Sequence, residues 1–565
     1  MKLCTSVLGF PRMGDNRQLK KLVESYWSCE INGEQLSTAS DQHYLSLLQI
    51  QQSHHIDMIT SGDFSLYDHV LDWSVDIGAI STRFQSLNQS DQYSLYFAAA
   101  RGYQANGVDI SACEMKKWYD TNYHYIVPEI RTDQQFVFND NNKIHHQFCL
   151  AKQHGIKTCP VIIGPITYLL LSKISDGNNK VVDINQTVLA RLIEQIIPCY
   201  KKLLNQLVAD GAADIRFDEP HLVMDLPGYV AELYTNTYSQ LLGGYSSKNV
   251  KFTVSTYFGE VRDNFQLLID TPHISTIHID STRDHNILAV ATNALSDVKY
   301  SHISLSIGCV DGRNIWKSNL SQLLQLLNGA VSVLGASRVI VASSCSLLHV
   351  PHSLNKENKL NAVIRSWLAF AVEKVNEIDL LSQLVGNGFS AVDESIRAQL
   401  ADNVKCIDER RSSELIHKPS VQQAINRVQD SDFNRSSPYP TRKTIQADAL
   451  NLPIFPTTTI GSFPQTSHIR ALRSKLKTGK IDYDEYIEEI RGEIQKCVEL
   501  QEKLGIDVLV HGEFERNDMV EYFGELISGY AFTEYGWVQY VISSIYIYIY
   551  IYQELLCVVH CTVYN

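Results

Sequence analysis

The sequence has no Cys-x-x-Cys pair, and before residue 539 it has no run of 18 clean apolar residues. Its twelve cysteines are scattered over 565 residues, which excludes a disulfide framework and points to a reducing compartment. The N-terminal stretch Met1–Pro11 lacks the apolar core of a secretory signal, so the expectation is cytosolic. Basic residues are also short: Lys+Arg is 49 against 62 Asp+Glu, a net charge of −13. That excludes a global nucleic-acid footprint but leaves room for a local basic patch that binds a small polyanion. With 44% apolar and 20% charged residues the chain is globular, with three or four domains or two large ones.

Short β-rich runs alternate with amphipathic stretches over the first 350 residues. Eight candidate strands stand near Thr5–Leu8, Ile56–Thr60, Thr158–Ile163, Ala213–Phe217, Phe252–Thr256, Thr276–Ile279, Ile303–Ile307 and Val339–Ala342. Helical-period segments such as Val188–Ala209 and Leu320–Leu334 separate most of them. Repeated β-α units imply a parallel sheet, and eight of them fit an α/β fold of the (β/α)8 TIM-barrel type. A doubly wound open sheet is the rival. Asp63, Asp218-Glu219, Asp280, Asp311 and Ser343-Ser344-Cys345 follow strands, where parallel-sheet sites are built, but such residues also serve as helix caps.

Residues Glu394 to Asp430 read as helical, and the Pro- and Ser-rich stretch from Ser431 to Leu452 reads as a linker. Beyond it the chain repeats itself. Leu8-Gly9-Phe10-Pro11 is answered by Ile460-Gly461-Ser462-Phe463-Pro464, and Ile56–Phe64 by Ile506–Phe514, at offsets of 452 and 450. Two pairs at nearly one offset imply a duplicated barrel whose second copy starts near residue 456. That copy has room for a strand (Thr457–Gly461), a helix (Asp484–Leu504, stopped by Gly505) and a strand (Ile506–His511). Two strands of eight cannot close a barrel. The expected divisions are 1–393, 394–455, 456–539 and 540–565. In the last, Ile545–Tyr552 alternates Ile and Tyr strictly, as a translated TA repeat does; a genuine strand or a short membrane segment are the alternatives.

At this point the sequence resembles a family, the cobalamin-independent methionine synthases. The motifs are Leu8–Gly14 with Arg17–Lys20 and Glu24–Trp27, then Gly62–Val70, Trp118–Tyr125 and Asp218-Glu219-Pro220. Val341–His349, Pro456–Gln465 and His511–Gly524 complete the set, and the resemblance runs to about residue 539. It implies two (β/α)8 barrels, zinc but no cobalamin, and methyl transfer from 5-methyltetrahydrofolate polyglutamate to homocysteine.

The resemblance places Arg17, Gln18, Leu19, Lys20 and Lys117 at the folate tail, whose carboxylates suit Arg and Lys. Arg12 and Lys21 widen that basic cluster; its other reading is a solvated helix face over Asn16–Ser25. Ile460, Gly461, Ser462 and Glu513 fall at the amino-acid end of homocysteine, with His511 structural. The family holds zinc with a His-x-Cys pair, a Glu and a distant Cys. None of the nineteen histidines here precedes a cysteine by two, so no metal ligand and no catalytic proton donor is assigned. Cys557, His560 and Cys561 have ligand-like types at spacings that do not match. The expectation is a chain truncated within the second barrel, monomeric, without nucleic-acid or membrane partners and inactive as written. A folate-polyglutamate-binding product without turnover and a non-functional, aggregation-prone fragment are its alternatives.

Overall fold

The computed structural model describes all residues except 1, 85, 86, 88–92, 106, 178, 179, 246, 247, 285, 389, 390, 540–543, 551–557 and 562–565. The described chain divides into two compact units. The first holds residues 1–411 and 532–547; the second holds 412–531 and 548–565.

The first unit is built on eight parallel strands: β1 (Cys4–Ser6), β2 (Ile59–Ser61), β3 (Thr158–Ile163), β4 (Asp214–Asp218), β5 (Lys251–Ser255), β6 (Thr276–Asp280), β7 (Ser304–Val310) and β8 (Val339–Ser343). Each pairs with its sequence neighbour, and β1 also pairs with β8. A parallel bridge from Ser6 to Met58 closes the ring between β1 and β2. Sequential order and closure exclude the doubly wound sheet, whose order reverses at a switch point. All eight expected strands are present.

Helices cover the barrel because their apolar residues recur at helical period. Gln186–Ala209 buries Leu189, Leu192, Ile193, Ile196, Ile197, Tyr200, Leu203, Leu204 and Leu207 on one face. Trp73, 1% exposed, packs edge-on against Tyr200 at 4.8 Å. Two antiparallel hairpins, Tyr103–Ala105 with Val108–Ile110 and Met115–Lys117 with His124–Ile126, lie outside the sequence expectations. Helix Glu394–Ser412 packs on the barrel through Asn403, which accepts from the Leu320 amide at 3.1 Å and donates to the Ser318 carbonyl at 2.9 Å. It falls in the first unit as far as residue 411.

The stretch that reads as a linker contains helical structure. Tyr439–Leu450 is an α-helix, with Pro438 as its N-cap and Pro440 in its first turn, where a missing amide costs nothing. The second unit keeps a small core of Ile469, Leu472, Tyr486, Ile490, Cys497 and Phe514. Its helix Tyr483–Leu504 starts with a capping box between Asp482 and Glu485 and stops at Gly505, φ 73°. Parallel bridges join Thr458 to Val508 and Ser462 to Gly512.

The duplication is visible atom by atom. In the first unit Asp57 Oδ2 accepts from the Thr5 amide at 3.0 Å and the Thr5 hydroxyl at 2.9 Å, and the Asp57 amide donates back to that hydroxyl at 2.9 Å. Thr457 and Asp507 make the same three bonds at 2.8, 2.8 and 3.1 Å. Gln51 and Gln501 each donate to the carbonyl four residues earlier, and Gly62 and Gly512 share a φ near +88°. The second unit thus repeats the bonding of the first module, but the expected strands Thr457–Gly461 and Ile506–His511 are isolated parallel bridges rather than strands, since no further strand pairs with them. In the tail, Ser544–Tyr550 and Val558–Cys561 are strands; residues 540–543, 551–557, including Cys557, and 562–565 lie outside the described set. Among the described residues no helix is long and apolar enough to cross a membrane.

Candidate functional site

Of the residues expected at a folate tail, Arg17–Lys20 open helix Gln18–Trp27. Arg17 is its N-cap with φ 57°, and one face of its guanidinium lies 3.9 Å from the Trp537 ring. Gln18 Nε2 donates to Asp15 Oδ1 at 2.8 Å, and its Oε1 accepts from the Asn16 amide at 2.9 Å. The Leu19 side chain is buried and its amide donates to the Met13 carbonyl, so Leu19 fixes the turn rather than presenting a side chain. Lys20 is half-buried, with Nζ 3.6 Å from Glu24 Oε1, and Lys21 is exposed. Lys117 is exposed at the end of a different element, the hairpin strand Met115–Lys117.

Arg12 does not join this cluster. It is 2% exposed, and its guanidinium donates to the Tyr67 carbonyl at 2.9 Å and the Tyr123 hydroxyl at 3.1 Å. A buried guanidinium needs its donors satisfied in place, so it cannot also meet a flexible anion outside. Its partners lie 55 and 111 positions away, beyond the reach of local pattern.

Arg12 instead seals the carboxyl-end mouth of the barrel. Tyr123 passes its hydroxyl hydrogen to Asp68 Oδ1 at 2.6 Å, while Asp68 Oδ2 accepts from the Leu71 and Ile126 amides. Lys143 Nζ donates to Asp72 Oδ2 at 2.6 Å and to the Gly62 and Phe64 carbonyls. Arg216 Nε donates to Asp218 Oδ1 at 2.9 Å, and its Nη2 to the Leu8 carbonyl at 2.7 Å. Burial pushes the Asp68 carboxyl up to about 6 and holds His69 well below the usual imidazole range. The space left, lined by Arg12, Tyr123, Lys143 and Asp218 with Trp118 and His349, is ≈ 80 Å³. Of the strand-exit residues, Asp63 accepts from the Phe10 amide at 3.2 Å and Asp280 from the Thr282 amide at 3.0 Å, so both brace turns.

The second unit brings together three of the four residues expected at homocysteine. Gly461 holds φ at +118°, and a Cβ placed on it would stand 2.9 Å from Glu513 Oε1. Only glycine fits there. Ser462 pairs with Gly512, one residue before Glu513. Glu513, φ 58°, forms an ion pair with Arg516 at 2.6 Å, and its amide donates to His511 Nδ1 at 3.0 Å. His511 therefore braces the turn. The Ile460 side chain is 94% exposed and takes no part in this contact. Bare backbone, a hydroxyl and a carboxylate side by side suit the carboxylate and ammonium of an amino acid. In the first unit Asp63 stands 3.2 Å from the corresponding Cβ position on Gly9, and Ser346 Oγ stands 2.4 Å away and fills the space.

Among the described residues the one group able to hold a metal is His145, Cys149 and Asp210, in the first unit. Sequence reading sought His-x-Cys and passed over it, although the i, i+4 pair is visible.

Residues 4–334 match the family model described as "Cobalamin-independent synthase, N-terminal domain", and residues 455–564 match "Cobalamin-independent synthase, Catalytic domain". A 5-methyltetrahydropteroyltriglutamate–homocysteine methyltransferase of Coxiella burnetii is 45% identical over 533 residues, 94% of this chain and 66% of the relative. One of Xylella fastidiosa is 41% identical over 532 residues, 94% and 67% of the two. The chain thus spans about two thirds of the length of these curated relatives. A solved B12-independent methionine synthase from Shewanella sp. aligns at TM-score 0.43 and 15% identity, covering 69% of this chain and 100% of that one. With both domains matched in order along one chain, it belongs to the cobalamin-independent methionine synthase family.

Proposed function

We propose that this chain serves methyl transfer from 5-methyltetrahydrofolate polyglutamate to homocysteine, giving methionine. The observation that carries the proposal is the clasp of Gly461, Ser462 and Glu513. Gly461 lets the ligand's backbone lie against the main chain, Ser462 meets its carboxylate and Glu513 its ammonium. In the first unit Arg17, Lys20 and Lys117 pair the glutamate tail. The mouth of that barrel is filled by its own ion pairs, which suits a holding role rather than chemistry.

The reading has the enzyme zinc-dependent, monomeric and cytosolic; ten of the described cysteines are free thiols, in keeping with a reducing compartment. The residues present do not fit the family zinc. The sequence has no His-x-Cys, and among the described residues the one candidate group lies in the first unit. The second unit's residues bind and orient the homocysteine amino-acid end but do not activate its thiol.

The test is calorimetric titration of the full chain with mono- and triglutamate forms of 5-methyltetrahydrofolate. The triglutamate should bind at least about tenfold more tightly, or about 1.4 kcal/mol. Lys20→Ala with Lys117→Ala should remove that preference; a preference left unchanged overturns the tail assignment.

A further inference from the structure

We infer that the outer wall of the first barrel carries a zinc site made by His145, Cys149 and Asp210. It uses none of the residues assigned to methyl transfer. Helix Lys143–Gln153 is started by Asn142, whose side chain accepts from the His145 amide at 2.9 Å. His145 and Cys149, at i and i+4, share a face of that helix. Asp210 is the C-cap of the neighbouring helix Gln186–Ala209, where the negative end of the helix dipole also favours a cation.

The three ligand atoms already converge. Cys149 Sγ lies 3.4 Å from His145 Nε2 and 3.8 Å from Asp210 Oδ2, and Nε2 lies 2.6 Å from Oδ2. Zinc bond lengths to sulfur, nitrogen and oxygen imply tetrahedral edges of about 3.3–3.7 Å. Two edges are therefore set. The third is a hydrogen bond, which opens by about 1 Å or less when the ion takes the place of the shared proton. The imidazole stays neutral by carrying its proton on Nδ1, and the thiol proton leaves to solvent. One thiolate, one carboxylate and one Zn²⁺ then sum to zero charge.

The set is accessible: the His145 side chain is 23% exposed, that of Asp210 45%, and His145 and Cys149 line a cavity of ≈ 680 Å³. His146 is held by Asp41 at 3.0 Å, so water takes the fourth position. Lys152 Nζ donates to the Asp210 carbonyl at 2.6 Å, directing its charge at the backbone rather than at the ligand oxygen. Imidazole with thiolate and carboxylate selects zinc over the hard cations. Bound there, the ion clips two helices of the barrel together.

Cobalt(II) reports such a site by colour. The metal-stripped full chain, titrated with Co²⁺, should show one bound ion with tetrahedral d–d bands and a thiolate-to-cobalt charge-transfer band. Cys149→Ser should lose the charge-transfer band. Asp210→Asn, which keeps the thiol and the helix end, should bind at least about tenfold more weakly. Zinc should raise the melting temperature of the parent chain and not of Asp210→Asn. A parent chain without the charge-transfer band, or a Cys149→Ser chain that keeps it, overturns the inference.

Discussion

At Gly461 the proposed clasp rests on one missing methyl group. The φ of +118° is open to glycine and strained for any other residue, and the Glu513 carboxylate stands where a Cβ would point. Gly461→Ala is expected to weaken homocysteine binding by about tenfold or more, because the added methyl displaces Glu513 and lifts the ligand from the backbone. Gly479 separates this from strain alone. Its φ is +67° and nothing lies within 4 Å of its Cβ position, so Gly479→Ala carries a backbone penalty and leaves the affinity unchanged. Titration calorimetry of the two variants decides between these effects. Equal losses in both would trace the effect to backbone strain.

Strands and helices were largely legible in the sequence because each is announced locally. A run of β-branched residues between turn formers marks a barrel strand, and the Asp482–Glu485 box with Gly505 marks both ends of one helix. The hairpin strands at 103–126 span three residues each, too few to show alternation. Tyr439–Leu450 was hidden because its prolines read as breakers, although both occupy the start of the helix. The burial of Arg12 and the meeting of Asp210 with His145 were not legible, since each depends on residues tens of positions away. The Thr5–Asp57 seam lies between these cases. Its residues sit in the repeated segments, but its bonds appear only in the fold. Asp57→Ala leaves the buried Thr5 amide and hydroxyl without their acceptor where the barrel closes. The expected loss is about 1–3 kcal/mol, read as a lower denaturation midpoint for the barrel and faster hydrogen exchange in β1.

The whole barrel buries acids and histidines in numbers that leave a mark on its stability. Burial raises the Asp76 and Glu219 carboxyls to about 7 and Asp68 to about 6. Each therefore keeps its proton in the folded barrel at a pH where the unfolded chain has released it. Their contribution is fully present below the unfolded values of 3.8 and 4.5 and is lost as pH rises through about 6 to 7. The buried histidines act in the other direction. His278 is lowered to about 3 and His221 and His352 to about 4, so the unfolded chain takes up protons first as pH falls below 6.5. The two sets oppose each other around neutral pH, where the unfolded imidazoles also take up protons, so the carboxyl contribution is isolated one site at a time. The part due to Asp76 is a rise in melting temperature as pH is lowered from about 8 to about 6.5. Asp76 accepts from the Lys143 amide at 3.2 Å, a bond that an asparagine oxygen can also accept. Asp76→Asn should keep the fold and flatten that rise, because the amide has no proton to release. Near-ultraviolet circular dichroism of the two chains across this range gives both slopes, and identical slopes would remove Asp76 from the account.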